Sequence, residues 1–110
     1  MIDWNRVTTL RDEVGADDFD EVISLFLEEV DEVVARLRDD PDMNNLGAEL
    51  HFLKGSAAGI GFSAFTELCQ TGEALCAKGR APEVDLPALL TGYASSKLTF
   101  LEEMPKELAG

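Results

Sequence analysis

Among 110 residues there is one histidine, one tryptophan, one tyrosine and two cysteines. Bases are scarce as well: nine lysines and arginines face 22 aspartates and glutamates, for a formal net charge of −13. So anionic a chain repels the phosphate backbone of nucleic acid and the anionic face of a membrane, and neither is an expected partner. The same charge favours encounter with basic protein surfaces, and it also keeps a small domain dispersed. No apolar run approaches the roughly 18 residues of a membrane-spanning helix, and Met1-Ile2-Asp3-Trp4 lacks a basic, apolar leader. A soluble cytoplasmic protein is the expectation. Two thiols and one imidazole fall short of a four-ligand zinc site, so no metal is expected. Cys69 and Cys76 are seven residues apart, about 10 Å along a helix, too far to form a disulfide. Both fall on an apolar stripe, where cysteine packs as a small hydrophobe.

Several signatures of catalysis are missing. Gly59-Ile60-Gly61-Phe62-Ser63-Ala64 matches the loose G-x-G-x-x-A nucleotide pattern, but it follows a helix where that fingerprint requires a strand. No G-x-x-x-x-G-K-[ST] loop occurs, so the chain has no ATP site to phosphorylate itself with. Neither Ser56 nor Ser63 lies in G-x-S-x-G, which argues against a hydrolase triad. The acid pairs Glu28-Glu29, Asp39-Asp40 and Glu102-Glu103 diverge on a helix and belong to no oxygen-rich calcium loop; a solvated face accounts for them.

What the sequence has is helical periodicity. Its length and 45% hydrophobic content suit one domain over residues 1–110, with no linker or repeat. Apolar residues recur every three or four positions, leaving no alternating stretch for a strand, so the fold class is all-α. A short first helix carries Trp4, Val7, Leu10 and Val14; Gly15 stops it, and Asp17 and Asp18 are expected to cap the next. That second helix, over about 18–39, aligns Phe19, Val22, Ile23, Phe26, Val30, Val33, Val34 and Leu37. Pro41 and Asp42 break it. A third, from about Met43 to Gly59, presents Leu46, Leu50, Leu53, Ala57 and Ile60, and Gly61 ends it. Ser63 is expected to cap a fourth, with Phe65, Leu68, Cys69, Gly72, Leu75 and Cys76 on its stripe and a stop at Lys78-Gly79-Arg80. After Pro82, Asp85 starts a last helix with Leu86, Leu89, Leu90, Tyr93, Phe100, Leu101 and Met104, weakest at Gly92 and Ser95-Ser96-Lys97. Four long amphipathic helices with short connections bury their stripes most simply as an up-down-up-down antiparallel bundle, the first short helix covering one end.

The lone histidine sits off the core stripe of its helix. At about 100° per residue, Leu50, Leu53, Ala57 and Ile60 fall on the far side from His51, which should therefore face solvent. Gly47, Ala48, Gly55 and Ala58 surround it on the same wheel. Glycine costs about 0.5–1 kcal/mol relative to alanine in a helix, so a clearing of small residues there needs a reason, and close approach by a partner is one. Lys54, one turn on, can bring an ammonium beside the ring, where it could neutralise phosphoryl oxygens.

The run His51-Phe52-Leu53-Lys54-Gly55-Ser56-Ala57-Ala58-Gly59-Ile60-Gly61 closely resembles the phosphorylation motif of histidine-containing phosphotransfer (HPt) domains. The order and lengths of the helices are similar to that family's bundle across essentially the whole chain. The resemblance implies that His51 is the phosphoacceptor, Lys54 its charge partner, and Gly55 the space for an incoming aspartyl phosphate; Ser56 would be a packing or cap-like residue. It implies a phosphohistidine carrier of two-component phosphorelays, without autonomous kinase activity. Its partners would be receiver domains of response regulators and a hybrid histidine kinase, and it would act as a monomer. No cofactor of its own is implied, magnesium being supplied by the receiver. If the third and fourth helices form an antiparallel hairpin, His51 lies level with Glu73 and Lys54 with Gln70. A carboxylate at Glu73 resembles the phosphotransfer domain of chemotaxis histidine kinases and could orient the imidazole. This leaves two alternatives open beside the relay carrier: a phosphoacceptor for a separate kinase catalytic domain, and a bundle that only binds proteins. Docking is expected on an apolar patch near His51 that includes residues of the second helix.

Overall fold

The computed structural model describes residues 1–108, which form five α-helices. They are α1 (Trp4–Val14), α2 (Ala16–Asp39), α3 (Leu46–Gly59), α4 (Ser63–Ala77) and α5 (Leu86–Glu107), with a 3₁₀ turn at Ala81–Glu83. Long-range contacts define the directions. Phe26 packs on Gly59 and Arg36 faces Glu49, so α2 and α3 are antiparallel. Gly47 meets Cys76 and His51 meets Glu73, which makes α3 and α4 antiparallel; Leu68 on Gly92 and Lys97 on Asp31 complete the up-down-up-down circuit through α5. The bundle is elongated, 45 × 21 × 20 Å.

Why the chain turns where it does is local. At the end of α3 the Phe62 N–H donates to the Ala57 carbonyl and Gly61 N–H to Ala58, with Gly61 at φ +79°, a glycine-terminated helix stop. The end of α4 repeats the pattern with Gly79 at φ +74° and bonds from Arg80 to Leu75 and from Gly79 to Cys76. Asp85 accepts from the Ala88 N–H to cap α5, and Asp3 accepts from Arg6 N–H to cap α1.

Other boundaries depart from expectation. Helix α2 begins at Ala16 behind an uncapped Gly15, so Asp17 and Asp18 lie in the first turn, favourable to the helix dipole but not capping. Helix α3 begins at Leu46 and not near Met43, because the Asp42 carboxylate accepts from Asn44 N–H and holds residues 43–45 in a turn. Ser63 is the first residue of α4 and not its cap; its hydroxyl donates to the Met1 carbonyl, beside a single antiparallel bridge between Ile2 and Phe62. On α5, Leu101 is 46% exposed, whereas Ser96, in the segment that looked weakest, is buried. Leu101 is a third of a turn past the buried Phe100, too far round to reach the core.

The core runs through Leu46, Leu50, Leu53, Ala57 and Ile60 of α3, Phe65 and Cys69 of α4, Val30 and Leu37 of α2, and Tyr93 and Phe100 of α5. Trp4 of α1 stacks on Phe100 at 5.6 Å and 8°, closing one end, and Phe62 packs at 5.3 Å from the same ring. The α3–α4 pair is held close by Gly72: a methyl group there would lie 2.8 Å from Leu50 Cδ1. That approach places the next residue, Glu73, within reach of α3. Both cysteines are free; Cys69 is buried, which pushes its thiol pKa up to about 12, with a smaller contribution from Glu73. None of the described helices is long and apolar enough to cross a membrane.

Candidate functional site

His51 projects from the middle of α3 with 74% of its side chain exposed. Its neighbours Leu50 and Leu53 are wholly buried, so the stripe that anchors the helix also turns the imidazole outward. Ala48, Gly55 and Ala58 are exposed around it, and a methyl group on Gly55 would touch nothing within 4 Å. The ring thus stands on open, low ground. Gly47 is different. It is partly buried, and a methyl group there would come within 3.2 Å of Cys76 Cβ, so its smallness serves the α3–α4 packing.

From α4, Glu73 reaches across with both carboxylate oxygens engaged. His51 Nδ1 lies 2.6 Å from Oε2, and Lys54 Nζ donates to Oε1 at 2.5 Å. The Glu73 side chain is 24% exposed. The Lys54 ammonium, and then the imidazole, hold its carboxyl below the usual carboxylate range despite the opposing effect of partial burial. An ionised carboxylate can only accept, so the hydrogen bond to His51 requires the proton on Nδ1. The lone pair of the neutral ring is then on Nε2. The arrangement is an oriented, exposed nitrogen nucleophile with a cation one helical turn away.

The hairpin register predicted from sequence puts Lys54 level with Gln70. In the structure Lys54 extends instead along the helix to Glu73, since a four-carbon chain spans a turn and the carboxylate is the stronger acceptor. Gln70 is exposed and, among the described residues, makes no hydrogen bond to His51 or Lys54. Sequence reasoning missed Phe52, which is 41% exposed beside the histidine. Its signal was available, because on the wheel it falls a third of a turn from His51 and outside the core stripe.

On α2, where Phe26 packs against the C-terminal end of α3, lies a shallow apolar depression lined by Val22, Leu25, Phe26 and Glu29. Leu25 is 52% exposed and Phe26 rests on Gly59. Comparison with protein-family models matches residues 21–110 to the Hpt domain, which takes in α3, α4, α5 and most of α2. The chain therefore belongs to the Hpt domain family, the histidine-phosphotransfer modules of phosphorelay signalling. Comparison with curated proteins and with solved structures gave no match.

Proposed function

We propose that this chain is a monomeric phosphorelay carrier that shuttles a phosphoryl group on His51 between receiver-domain aspartates. The observation that carries this reading is an imidazole exposed in mid-helix whose Nδ1 is engaged by the Glu73 carboxylate, leaving Nε2 as the free nucleophile. In the forward step the Nε2 lone pair attacks the phosphorus of an aspartyl phosphate in line. The bond from phosphorus to the aspartate oxygen breaks, and that carboxylate leaves with its electron pair. The ring, still protonated at Nδ1, becomes cationic, and Glu73 stabilises that charge through the same hydrogen bond. Lys54 moves from Glu73 onto the phosphoryl oxygens. Gly55, Ala48 and Ala58 let the receiver backbone come close, with Gly55 offering the most room. Magnesium belongs to the receiver's acidic pocket, and all of the steps reverse onto a second receiver.

A second reading is favoured by one specific observation: the residue opposite His51 is a carboxylate, as in the phosphotransfer domain of chemotaxis kinases. On that reading a separate kinase catalytic domain phosphorylates His51 from ATP. One experiment separates the two. Purified receiver domains of the source organism, charged with a small acyl phosphate, are incubated with wild type and His51→Ala, and a parallel set uses kinase catalytic domains with ATP. The relay predicts an acid-labile label on wild type from at least one receiver and none on His51→Ala. Label from a kinase domain alone would establish the second reading. A protein labelled by neither, whose partner binding survives His51→Ala, would be a binding module only.

A further inference from the structure

Helix α2 carries acids on two sides that are treated very differently. Towards α5, Asp31 accepts from Tyr93 at 2.6 Å and from Lys97 at 2.8 Å. Towards α3, Glu29 and Glu32 are exposed and, among the described residues, pair with no cation. The contacts of Phe26 with Gly59 and of Arg36 with Glu49 set one antiparallel register between α2 and α3. In that register Glu29 lies level with Ser56 and Glu32 with Leu53, alongside Phe52 and the ground around His51. Arg36, the nearest base on this flank of α2, faces Glu49 at 3.7 Å. Among the described residues, the anionic edge beside Val22, Leu25 and Phe26 is therefore matched by no salt bridge, and Phe52 lies exposed further along the facing helix.

Resting on the phosphotransfer reading above, we propose that Glu29 and Glu32 are specificity-determining residues for that reaction: they select receiver domains with lysine or arginine beside an apolar contact patch. The physical reason is complementarity. A protein of net charge −13 must bring a phosphoryl dianion and a receiver's acidic pocket together, and like charges oppose the encounter. Cations on the receiver, placed over Glu29 and Glu32, reverse that sign locally while the apolar patches close and exclude water. Receivers with an acidic rim meet two unpaired carboxylates and are rejected. Neither glutamate touches the reacting atoms, so both act on encounter and docking and leave the chemical step alone.

The test measures transfer from the charged receiver panel to the whole chain, as wild type and as Glu29→Lys/Glu32→Lys, at about 0.02 M and about 0.3 M salt, which bracket the ionic strength where charges reach about 10 Å. The expected result at low salt is about a tenfold loss of kcat/KM with the receivers that serve wild type best, all of it in KM, closing at high salt. Glu29→Gln/Glu32→Gln gives a smaller loss of the same sign and keeps the test valid if the lysine pair does not fold. Glu102→Lys/Glu103→Lys makes the same charge change on α5 and should leave transfer unchanged. Wild-type kcat/KM in the α2 variants, or an equal loss in the α5 control, overturns the assignment while leaving phosphotransfer standing. A wild-type chain that no receiver can charge overturns both.

Discussion

Glu73 and Asp31 each hold a lysine on one carboxylate oxygen and the polar atom of a ring on the other: Lys54 and His51 for Glu73, Lys97 and Tyr93 for Asp31. Each cluster joins two antiparallel helices, α3 to α4 and α2 to α5. They differ in where the ring lies. Tyr93 is buried, and burial, reinforced by the hydrogen bond to Asp31, raises its phenol well above the ordinary tyrosine value, so it remains a proton donor at any physiological pH. His51 stands in solvent with one nitrogen tethered and the other unencumbered. The same carboxylate, cation and ring make a structural brace when the ring is inside and leave one ring nitrogen open to solvent when it is outside. Exposure, more than the constellation of residue types, separates the two.

That contrast can be broken from either side. The largest effect is expected from Glu73→Gln, which keeps an acceptor near Nδ1 but removes the charge that stabilises the cationic ring. Transfer to His51 should slow on the order of 10-fold to 100-fold with the helical signal unchanged, measured by the rate of label uptake from a charged receiver. Next, Tyr93→Phe removes the hydroxyl that braces α2 against α5. It should cost about 1–2 kcal/mol of unfolding free energy, read as a lower urea midpoint, and leave the transfer rate at its wild-type value. A loss of transfer would mean that the two clusters communicate. Lys54→Ala removes a contact worth about 1 kcal/mol, so transfer should slow about fivefold, more at low salt than at high.

The smallest effect is a pH dependence. Because the folded state holds Glu73 below its ordinary value, its pairing stabilises the fold above that ordinary value, about 4.3, and the contribution is lost as pH falls through the depressed one. The difference in denaturation midpoint between wild type and Glu73→Gln should therefore favour wild type at neutral pH and vanish in acid. A difference that grows with acidification would mean that the carboxylate is strained by its partners.

Much of the bundle was legible because its rules act over three or four residues. The stripe of α3 that buries Leu46, Leu50, Leu53 and Ala57 also dictates that His51 faces out, and Gly61, Gly79 and Asp85 end or begin helices by bonds to residues within five positions. The likeness of Glu73 to a carboxylate opposite the histidine needed only the hairpin register. Other features had no local signal. Ser63 looks like a helix cap, yet its hydroxyl is taken by Met1, 62 residues away. Lys97 and Tyr93 read as a weak stretch and an ordinary core residue until α5 is laid against Asp31. Gly47 suits a clearing beside the histidine as well as a helix contact, and only the position of Cys76 decides between them.

By itself the sequence determined five helices, their stops and the outward face of the one histidine, because backbone hydrogen bonding and amphipathic spacing are settled within a helical turn. Only the tertiary structure decided that one carboxylate serves both His51 and Lys54, and that the acids of α2 divide into a braced side and an unpaired one. Those outcomes depend on the distance and rotation between helices, which packing at Gly72, Gly59 and Gly92 sets and no neighbouring residue encodes.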